Sequence, residues 1–279
     1  MHKPVLSFLE TMTNQSCNLA CYGCTNYSDL RHSGYVTWAQ GKEQISNWLH
    51  RIDIPDFGIM GGEPLMNPDI EKWIIGIREL LPNAQIRFTT NGLLLSKKFH
   101  VIKLLEEIGN CVFKITVHVD NDILNENIQR VYHAYDWQDI TEFGIQRHTT
   151  GNDFRFHVKR PTQFFKTYQG TYDSMMPHNS DPVQAFDLCI QQTCPLLYNG
   201  MIYKCSTAGL LKDTLQKVGN PNSGHWQPYM IDGLSPDCDD AELWSFINNF
   251  GKPHAMCRQC PTKNNSDSIV NHLENVAVK

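Results

Sequence analysis

Hydrophobic residues follow two alternating patterns over the first 160 positions of the chain. One pattern is a short apolar run that ends at glycine or polar residues, as buried strands do. The other is a longer stretch with apolar residues every three or four positions, the period of a helix. The strand pattern occurs at residues 5–12, 56–62, 85–92, 111–119, 143–148 and 154–159. The chain is therefore predicted to repeat a strand and helix unit.

Local signals mark the ends of the predicted helices. Thr37 and Gln40 have the spacing of a capping box, and apolar residues at helical spacing follow them. Pro68 is predicted to open the second helix, and Gly109 to stop the third. A fourth helix is predicted near residues 121–135.

The repeated unit predicts an α/β fold, because each helical crossover returns the chain to the same end of a parallel sheet. Six units would form a partial (βα)6 barrel of the TIM type. In such barrels the chemistry lies at the C-terminal ends of the strands. Three unusual stretches, the cysteine-rich residues 15–26, "GGEP" at 61–64 and "TTNG" at 89–92, each follow a predicted strand. We expect all three to meet at one mouth of the barrel.

The repeat stops near residue 161, where the sequence becomes polar and rich in turn residues. Asn199-Gly200, between two short apolar runs, then gives a strong signal for a two-residue β-hairpin. We therefore predict a barrel core over residues 1–160 and a small cysteine-bearing hairpin module with a C-terminal tail over 161–279.

Composition limits the classes of partner. The chain has 279 residues, 41% of them hydrophobic, and a net charge of −5 without a basic patch. These features argue against nucleic acid or an anionic membrane surface as partner. The N-terminus has no export signal, so we expect a cytoplasmic protein. In a reducing compartment, ten cysteines suggest metal ligation more than disulfide bonds.

Cys17, Cys21 and Cys24 form a group of three thiols without a fourth cysteine nearby. Four thiolates would close a structural zinc or iron-sulfur site. Three thiolates on a cubane of four irons would leave one iron open to another ligand. The spacing alone also permits a zinc site completed by a nearby histidine such as His32.

The motif Cys17-x3-Cys21-x2-Cys24 after a first strand resembles the cluster motif of the radical S-adenosylmethionine (SAM) superfamily. The resemblance extends over residues 5 to about 160. It implies that a 4Fe-4S cluster binds SAM and cleaves it reductively to a 5'-deoxyadenosyl radical, which abstracts hydrogen from a substrate. It also implies a set of residues that contact SAM. These are Gly61, Gly62, Glu63 and Pro64 of the GGEP motif and Asn91 of TTNG.

The aromatic position of the cysteine motif departs from the family. Family members usually carry an aromatic residue just before the third cysteine, whereas this chain has Gly23 there and Tyr22 one place earlier. Tyr22 is the aromatic residue predicted to pack near the adenine. His118 and His148 lie on predicted strands that lead to the mouth, and both are candidates for contact with SAM or substrate.

A second cysteine group lies in the C-terminal module. Counting outward from the predicted turn places Cys194 opposite Cys205, and Cys257-x2-Cys260 supplies a metal-binding pair. The group resembles the twitch module, a shortened SPASM domain that holds an auxiliary 4Fe-4S cluster. Family spacing favours Cys189 as first ligand and hairpin geometry favours Cys194, so both stay candidates. Zinc is the alternative occupant. Cys111 is predicted to be a core residue and Cys238 a bystander.

Sequence motifs do not identify the substrate. The preferred hypothesis is net oxidation of a polar small molecule such as a sugar, an aminocyclitol or an amino-acid derivative. A peptide (RiPP-type) maturase and an activating enzyme for a glycyl-radical partner are the alternatives within the superfamily. A flavodoxin or ferredoxin is the expected electron donor. The alternative outside enzymes is an electron-transfer or zinc-binding scaffold.

Overall fold

The computed structural model describes residues 3–137, 144–149, 151–161, 163–220, 222–265, 269–271 and 276–278. Strands occur as short segments throughout this part of the chain. They are β1 (Leu9–Met12), β2 (Leu19–Cys21), β3 (Asp56–Met60), β4 (Gln85–Thr90), β5 (Cys111–Thr116), β6 (Gly144–Thr149), β7 (Phe154–Arg160), β8 (Gln163–Phe165), β9 (Leu196–Tyr198), β10 (Met201–Tyr203), β11 (Ile269–Asn271) and β12 (Val276–Val278).

Helices separate most of these strands. They are α1 (Trp38–Leu49), α2 (Ile70–Leu80), α3 (Leu95–Ile108), α4 (Asp122–Ala134), α5 (Pro182–Leu188), α6 (Ser206–Lys217), α7 (Ser223–Trp226) and α8 (Asp240–Asn249). Within the described residues, no helix combines the length and the apolar character needed to cross a bilayer.

One eight-stranded sheet organises the fold, in the order β10-β9-β1-β3-β4-β5-β7-β6. Six neighbouring strands run parallel to one another, namely β9, β1, β3, β4, β5 and β7. The two edge strands, β10 and β6, each run antiparallel to the strand beside them. The predicted α/β fold with a parallel sheet is therefore confirmed. Two small antiparallel pairs, β11 with β8 and β12 with β2, lie outside this sheet.

The sheet differs from the expected barrel at its sixth strand. The segment predicted at 143–148 corresponds to β6, which pairs antiparallel with β7 at the edge of the sheet. Residues 150–153 alone connect these two strands, and a parallel crossover needs a dozen residues or more. The sixth parallel strand is instead β9, which comes from the C-terminal part of the chain and pairs with β1.

Two of the three predicted helix signals are confirmed, whereas Pro68 lies two residues before α2, which begins at Ile70 with Asp69 as its N-cap. Thr37 Oγ1 accepts a hydrogen bond from Gln40 N at 3.3 Å, and Gln40 Oε1 accepts one from Thr37 N at 3.0 Å. This reciprocal pair begins α1. Gly109, with φ of 72°, ends α3, because few other residues adopt that left-handed conformation at low cost.

The two faces of the sheet carry different residues. Phe88, Phe113 and Phe156 pair in one row across β4, β5 and β7, and each is fully buried. The Phe88 and Phe113 rings stack with centroids 5.6 Å apart. The next row on the opposite face contains Thr89 and Lys114. The apolar face builds the core, and the polar face is available for chemistry.

The hairpin forms with the predicted register. Tyr198 pairs with Met201, Leu197 with Ile202, and Leu196 with Tyr203. Asn199 (φ 50°) and Gly200 (φ 80°) occupy the left-handed region that a two-residue turn of type I′ requires. Because β9 also pairs with β1, the hairpin continues the main sheet. The domain boundary at residue 160 stays a prediction.

Candidate active site

A cavity of about 210 Å³ lies at the C-terminal ends of the parallel strands, and Cys17, Cys21 and Cys24 all line it. Cys21 ends β2, and the Cys24 amide then donates to the Cys21 carbonyl at 3.1 Å, which turns the chain back on itself. The structure thus brings the three predicted thiols to one space. Their ligation of iron stays a prediction.

Burial affects the chemistry of these thiols. Burial raises the pKa of Cys24, and the negative charge of Asp29 raises it further. A metal centre binds the thiolate, so cluster assembly at this site would release the proton that the buried thiol otherwise keeps.

Gly61 and Gly62 line the same cavity and pack against the chain that leads into the cysteine motif. A Cβ atom on Gly61 would lie 2.4 Å from the Asn14 carbonyl oxygen, and one on Gly62 would lie 2.3 Å from the Ser16 carbonyl oxygen. The sequence motif assigned these glycines to ligand approach. The structure adds a second requirement, because any side chain here would displace the segment before Cys17.

Glu63 lies behind the cavity wall with no exposed surface. Its Oε1 accepts hydrogen bonds from Leu65 N at 3.0 Å and Thr90 Oγ1 at 2.7 Å, and its Oε2 accepts one from Asn91 N at 2.8 Å. Burial raises the pKa of Glu63 to about 7, although all three donors oppose that shift. The carboxylate therefore ties the end of β4 to the turn that begins at Pro64. Its predicted contact with SAM is untested.

Asn91 connects β4 to the cysteine motif. Its Nδ2 donates to Asn18 Oδ1 at 2.7 Å and lies 3.8 Å from Cys17 Sγ, and the residue lines the cavity. Its Oδ1 accepts from the Leu93 amide at 3.1 Å. Asn91 therefore holds the first cysteine in place, and this role accompanies the predicted contact with SAM.

Tyr22 and His118 occupy different surroundings. The Lys166 ammonium lies 4.3 Å from the centre of the Tyr22 ring, and Tyr22 is not among the described residues that line the cavity. His118 does line the cavity, where its ring stacks on Phe164 at 5.4 Å. Gly23 has φ of 81°, and a Cβ there would lie 3.1 Å from Lys166 N, so the aromatic residue usual in the family would be strained at this position.

The cavity also contains polar residues that the sequence motifs did not indicate, among them Asn26, Lys114, Thr116 and Lys159. Asn26 Nδ2 donates to the Gly61 carbonyl at 2.8 Å, while its buried Oδ1 has no hydrogen-bond partner in the described part of the chain. A free acceptor beside three thiols suits a ligand with amino groups such as SAM. Polar residues at alternate positions of β5 and β7 were the available signal for the lysines and the threonine.

Comparison with known proteins agrees with this site. Residues 12–143 match the model of the Radical SAM superfamily. A probable GTP 3',8-cyclase of Pyrobaculum aerophilum is 32% identical over 113 residues, which are 40% of this chain and 35% of that protein. The FeMo cofactor biosynthesis protein NifB of Methanocaldococcus jannaschii is 29% identical over 128 residues, 42% of each chain. The matches thus span less than half of these relatives.

A solved structure shares the fold over nearly the whole chain. The crystal structure of BtrN in complex with AdoMet and 2-DOIA aligns with a TM-score of 0.53 and 17% identity, and covers 94% of this chain and 95% of that one. This likeness shows the fold, while the match to the Radical SAM superfamily rests on residues 12–143. The relative from Pyrobaculum aerophilum is named as an enzyme.

The C-terminal module of this radical SAM-like chain brings together Cys189, Cys205, Cys257 and Cys260. The first, second and fourth of these line a small cavity of about 50 Å³. The Cys260 amide donates to the Cys257 carbonyl at 3.0 Å, which places the fourth thiol beside the third. Burial raises the pKa of Cys260, and the charges of the other three thiols raise it further. We call these four residues the auxiliary cysteines.

Cys194 does not line the small cavity of the auxiliary cysteines. Burial and then the charge of Glu10 raise the pKa of Cys194 to about 12, the charges of Cys189 and Cys205 also raise it, and the charge of Lys114 on β5 lowers it. The predicted pairing of Cys194 with Cys205 is not among the paired positions, which stop at Leu196 and Tyr203. Both residues are engaged otherwise, because the Cys194 amide donates to the Gln191 carbonyl at 3.4 Å and Cys205 is the N-cap of α6. The geometry favours Cys189 over Cys194 as the fourth thiol.

The remaining cysteines join neither group. Cys111 is fully buried at the start of β5, as predicted for a core residue, and Cys238 lies 4.0 Å from the Arg51 guanidinium.

Among the described residues, no three His, Cys, Asp or Glu side chains lie close enough to share a single metal ion. His148 lies on β6, but its side chain is outside the described part of the structure.

Proposed function

We propose that this chain is a radical SAM enzyme that oxidises a polar small molecule. The observation that carries the proposal is the convergence of Cys17, Cys21 and Cys24 on one cavity at the C-terminal ends of the parallel strands. These residues would hold a 4Fe-4S cluster through three of its irons and leave the fourth for SAM. When bound, the cluster and SAM supply a 5'-deoxyadenosyl radical that abstracts a hydrogen atom from the substrate.

The residues around the cysteines suit the binding of SAM. Asn26 offers its buried Oδ1 as an acceptor for an amino group, and Gly61 and Gly62 present backbone to the same space. Glu63 and Asn91 hold this wall together from behind through the hydrogen bonds that join them. The protein thus contributes position, and the cofactor contributes the difficult chemistry.

Apolar side chains complete the cavity. Leu19, Met60, Pro161 and Phe164 line it together with the polar residues. A carbon radical needs an enclosure that keeps competing reactants away, and apolar walls limit the access of water.

The auxiliary cysteines would hold a second 4Fe-4S cluster with Cys189 as the fourth ligand. Four thiolates leave no iron open for a substrate. The cluster would then accept one electron from the substrate radical as that radical loses a proton, which makes the net reaction an oxidation. The first cluster needs an external reductant such as a flavodoxin or ferredoxin. Zinc is the alternative occupant, but a zinc site needs its ligands around one ion, and among the described residues no three such side chains lie that close.

Formation of 5'-deoxyadenosine tests the proposal. The protein is reconstituted without oxygen, reduced with dithionite and incubated with SAM. We expect product from the native chain and from Cys111→Ala, whose thiol belongs to the core, and none from Cys21→Ala. Equal product from Cys21→Ala, or none from the native chain with its iron in place, would contradict the proposal.

A further inference from the structure

Lys114 and Lys159 form a basic part of the cavity wall. They lie on the adjacent parallel strands β5 and β7, where Lys159 pairs with Thr116, two residues beyond Lys114. Side chains two residues apart on a strand share a face, so both lysines project from the polar face of the sheet. This register brings two ammonium groups to the same cavity.

The two lysines have no acidic partner at ion-pair distance in the described residues. Neither takes part in a salt bridge or a side-chain hydrogen bond there. The described residues that line the cavity include His118 as a third basic side chain and contain no Asp or Glu. A chain with a net charge of −5 thus has a cavity with an excess of positive groups.

We propose that Lys114 and Lys159 bind an anionic group of the substrate, a carboxylate or a phosphate. The inference rests on the proposed function, because it assigns a substrate class to the same cavity. Two half-buried ammonium groups that repel one another gain from a shared anion, and charge-assisted hydrogen bonds to such an anion are strong.

The charges around the two lysines favour an anionic group of the substrate, and not an acidic side chain of the protein, as their partner. The acidic groups whose charges act on Lys114 are Cys194 and Glu10. Glu10, on β1, is 6% exposed and keeps its Oε1 without a hydrogen-bond partner in the described residues. Burial raises the pKa of Glu10 to about 8 despite the opposing charge of Lys114, so this carboxyl is mostly neutral at pH 7. Burial and then the charge of Lys159 lower the pKa of Lys114. An anionic substrate would relieve that repulsion.

Calorimetric titration with inorganic phosphate and with acetate tests the assignment. The titrations use the reconstituted protein with SAM present, the single variants Lys114→Gln and Lys159→Gln, and Lys97→Gln as a matched control on the exposed face of α3. We expect one of the two anions to bind the native chain. Its affinity should fall about tenfold or more in each cavity variant and stay unchanged in the control. The anion that binds identifies the substrate group as phosphate or carboxylate.

Arginine variants distinguish the loss of the anion site from a loss of folding. Lys114→Arg and Lys159→Arg keep the charge, so we expect them to bind the anion more tightly than the glutamine variants do. Binding of neither anion to the native chain, or equal binding to all variants, would overturn the assignment. So would a fall in SAM affinity with unchanged anion binding, because the lysines would then hold the carboxylate of SAM.

Formation of 5'-deoxyadenosine separates this inference from the proposed function. Dithionite-driven cleavage of SAM by the native chain and by Lys97→Gln is measured alongside the anion titration. Failure of the anion titration with cleavage intact would reject only the substrate assignment. Absence of cleavage in the native chain would reject the proposed function itself.

Discussion

At the scale of single residues, Glu63 joins the motif after β3 to the motif after β4. Its carboxylate accepts three hydrogen bonds, two of them from the backbone of Leu65 and Asn91. Removing it leaves buried donors without an acceptor, and each such donor costs about 1–3 kcal/mol. This carboxylate therefore fixes the wall of the cavity whether or not it touches SAM.

We expect Glu63→Ala to lower the free energy of unfolding by about 2–4 kcal/mol and to weaken SAM binding. The iron content of both sites should stay near that of the native chain, because no cysteine is altered. Urea unfolding and calorimetry with SAM measure the two effects. Glu107→Ala, at an exposed position of α3, is the control. SAM affinity equal to that of the native chain would show that Glu63 has no part in this wall.

Cys189 and Cys194 offer a second comparison at this scale. Cys189 lines a cavity with Cys205 and Cys260, whereas Cys194 does not line it. We expect Cys189→Ala to lose the auxiliary iron and Cys194→Ala to keep it. Iron analysis of the reconstituted variants measures this difference. The reverse result would return the assignment to the hairpin cysteine.

Glu10 gives the stability of the protein a dependence on pH. Its pKa rises from 4.5 to about 8 on folding, because it is buried. Between these values the folded state holds a proton that the unfolded state has lost, so stability falls as pH rises. The slope is about 1.4 kcal/mol per pH unit for one such group.

We expect Glu10→Gln to reduce the loss of stability between pH 5 and pH 8 and to be more stable than the native chain near pH 8. Urea unfolding of the iron-free protein at several pH values under reducing conditions measures the slope. Glu107→Gln is the exposed control. An unchanged slope in Glu10→Gln would mean that Glu10 is ionised in the folded protein.

At the scale of elements, a close approach of two backbone segments shapes the site. Gly62 donates its amide to the Asn14 carbonyl at 2.5 Å, and a Cβ on Gly62 would lie 2.3 Å from the Ser16 carbonyl oxygen. The turn after β3 therefore sets the path of the chain into the cysteine motif. Gly200 differs, because it lies in the hairpin turn with φ of 80° and a Cβ there would meet no atom of the described residues within 4 Å.

We expect Gly62→Ala to lower iron binding by the first cysteine group, since the segment at Ser16 must shift. Gly200→Ala is the control, because it meets only the cost of a left-handed alanine, about 1 kcal/mol. Iron content and the yield of folded protein measure the two variants. Equal iron in Gly62→Ala and Gly200→Ala would show that this close approach does not govern the cysteine motif.

Sequence predicted those elements whose signals are local. The capping box at Thr37, the stop at Gly109 and the register around Asn199-Gly200 depend on residues a few positions apart. The convergence of the cysteines, Gly61 and Gly62 followed from one rule of parallel sheets, that strand ends meet at one edge.

Long-range pairing set the features that sequence did not predict. No local feature of the β9 sequence predicts its parallel pairing with β1. The antiparallel direction of β6 follows from the short link between β6 and β7. The absence of Cys194 from the lining of the small cavity and the meeting of Lys114 with Lys159 at the larger one depend on side-chain directions in the folded chain.

At the scale of the whole molecule, the cavities of the two cysteine groups have a wall in common. Thr25, Phe164 and Ile190 line both the larger cavity and the small cavity of the auxiliary cysteines. The sheet makes this possible, because β9, from the C-terminal part of the chain, pairs with β1 near its start. Adjacent cavities suit the proposed transfer of an electron from a substrate radical to an auxiliary cluster.

The central claim is that Cys17, Cys21 and Cys24 hold a cluster with one iron left for SAM. Electron paramagnetic resonance of the dithionite-reduced protein, with and without SAM, tests it most directly. The variant with all three cysteines replaced by alanine serves as the comparison, since its auxiliary cysteines are intact. We predict that SAM changes the signal of the native protein and leaves the remaining signal of the triple variant unaltered. A native signal that does not respond to SAM, or an equal response in the triple variant, would contradict the account.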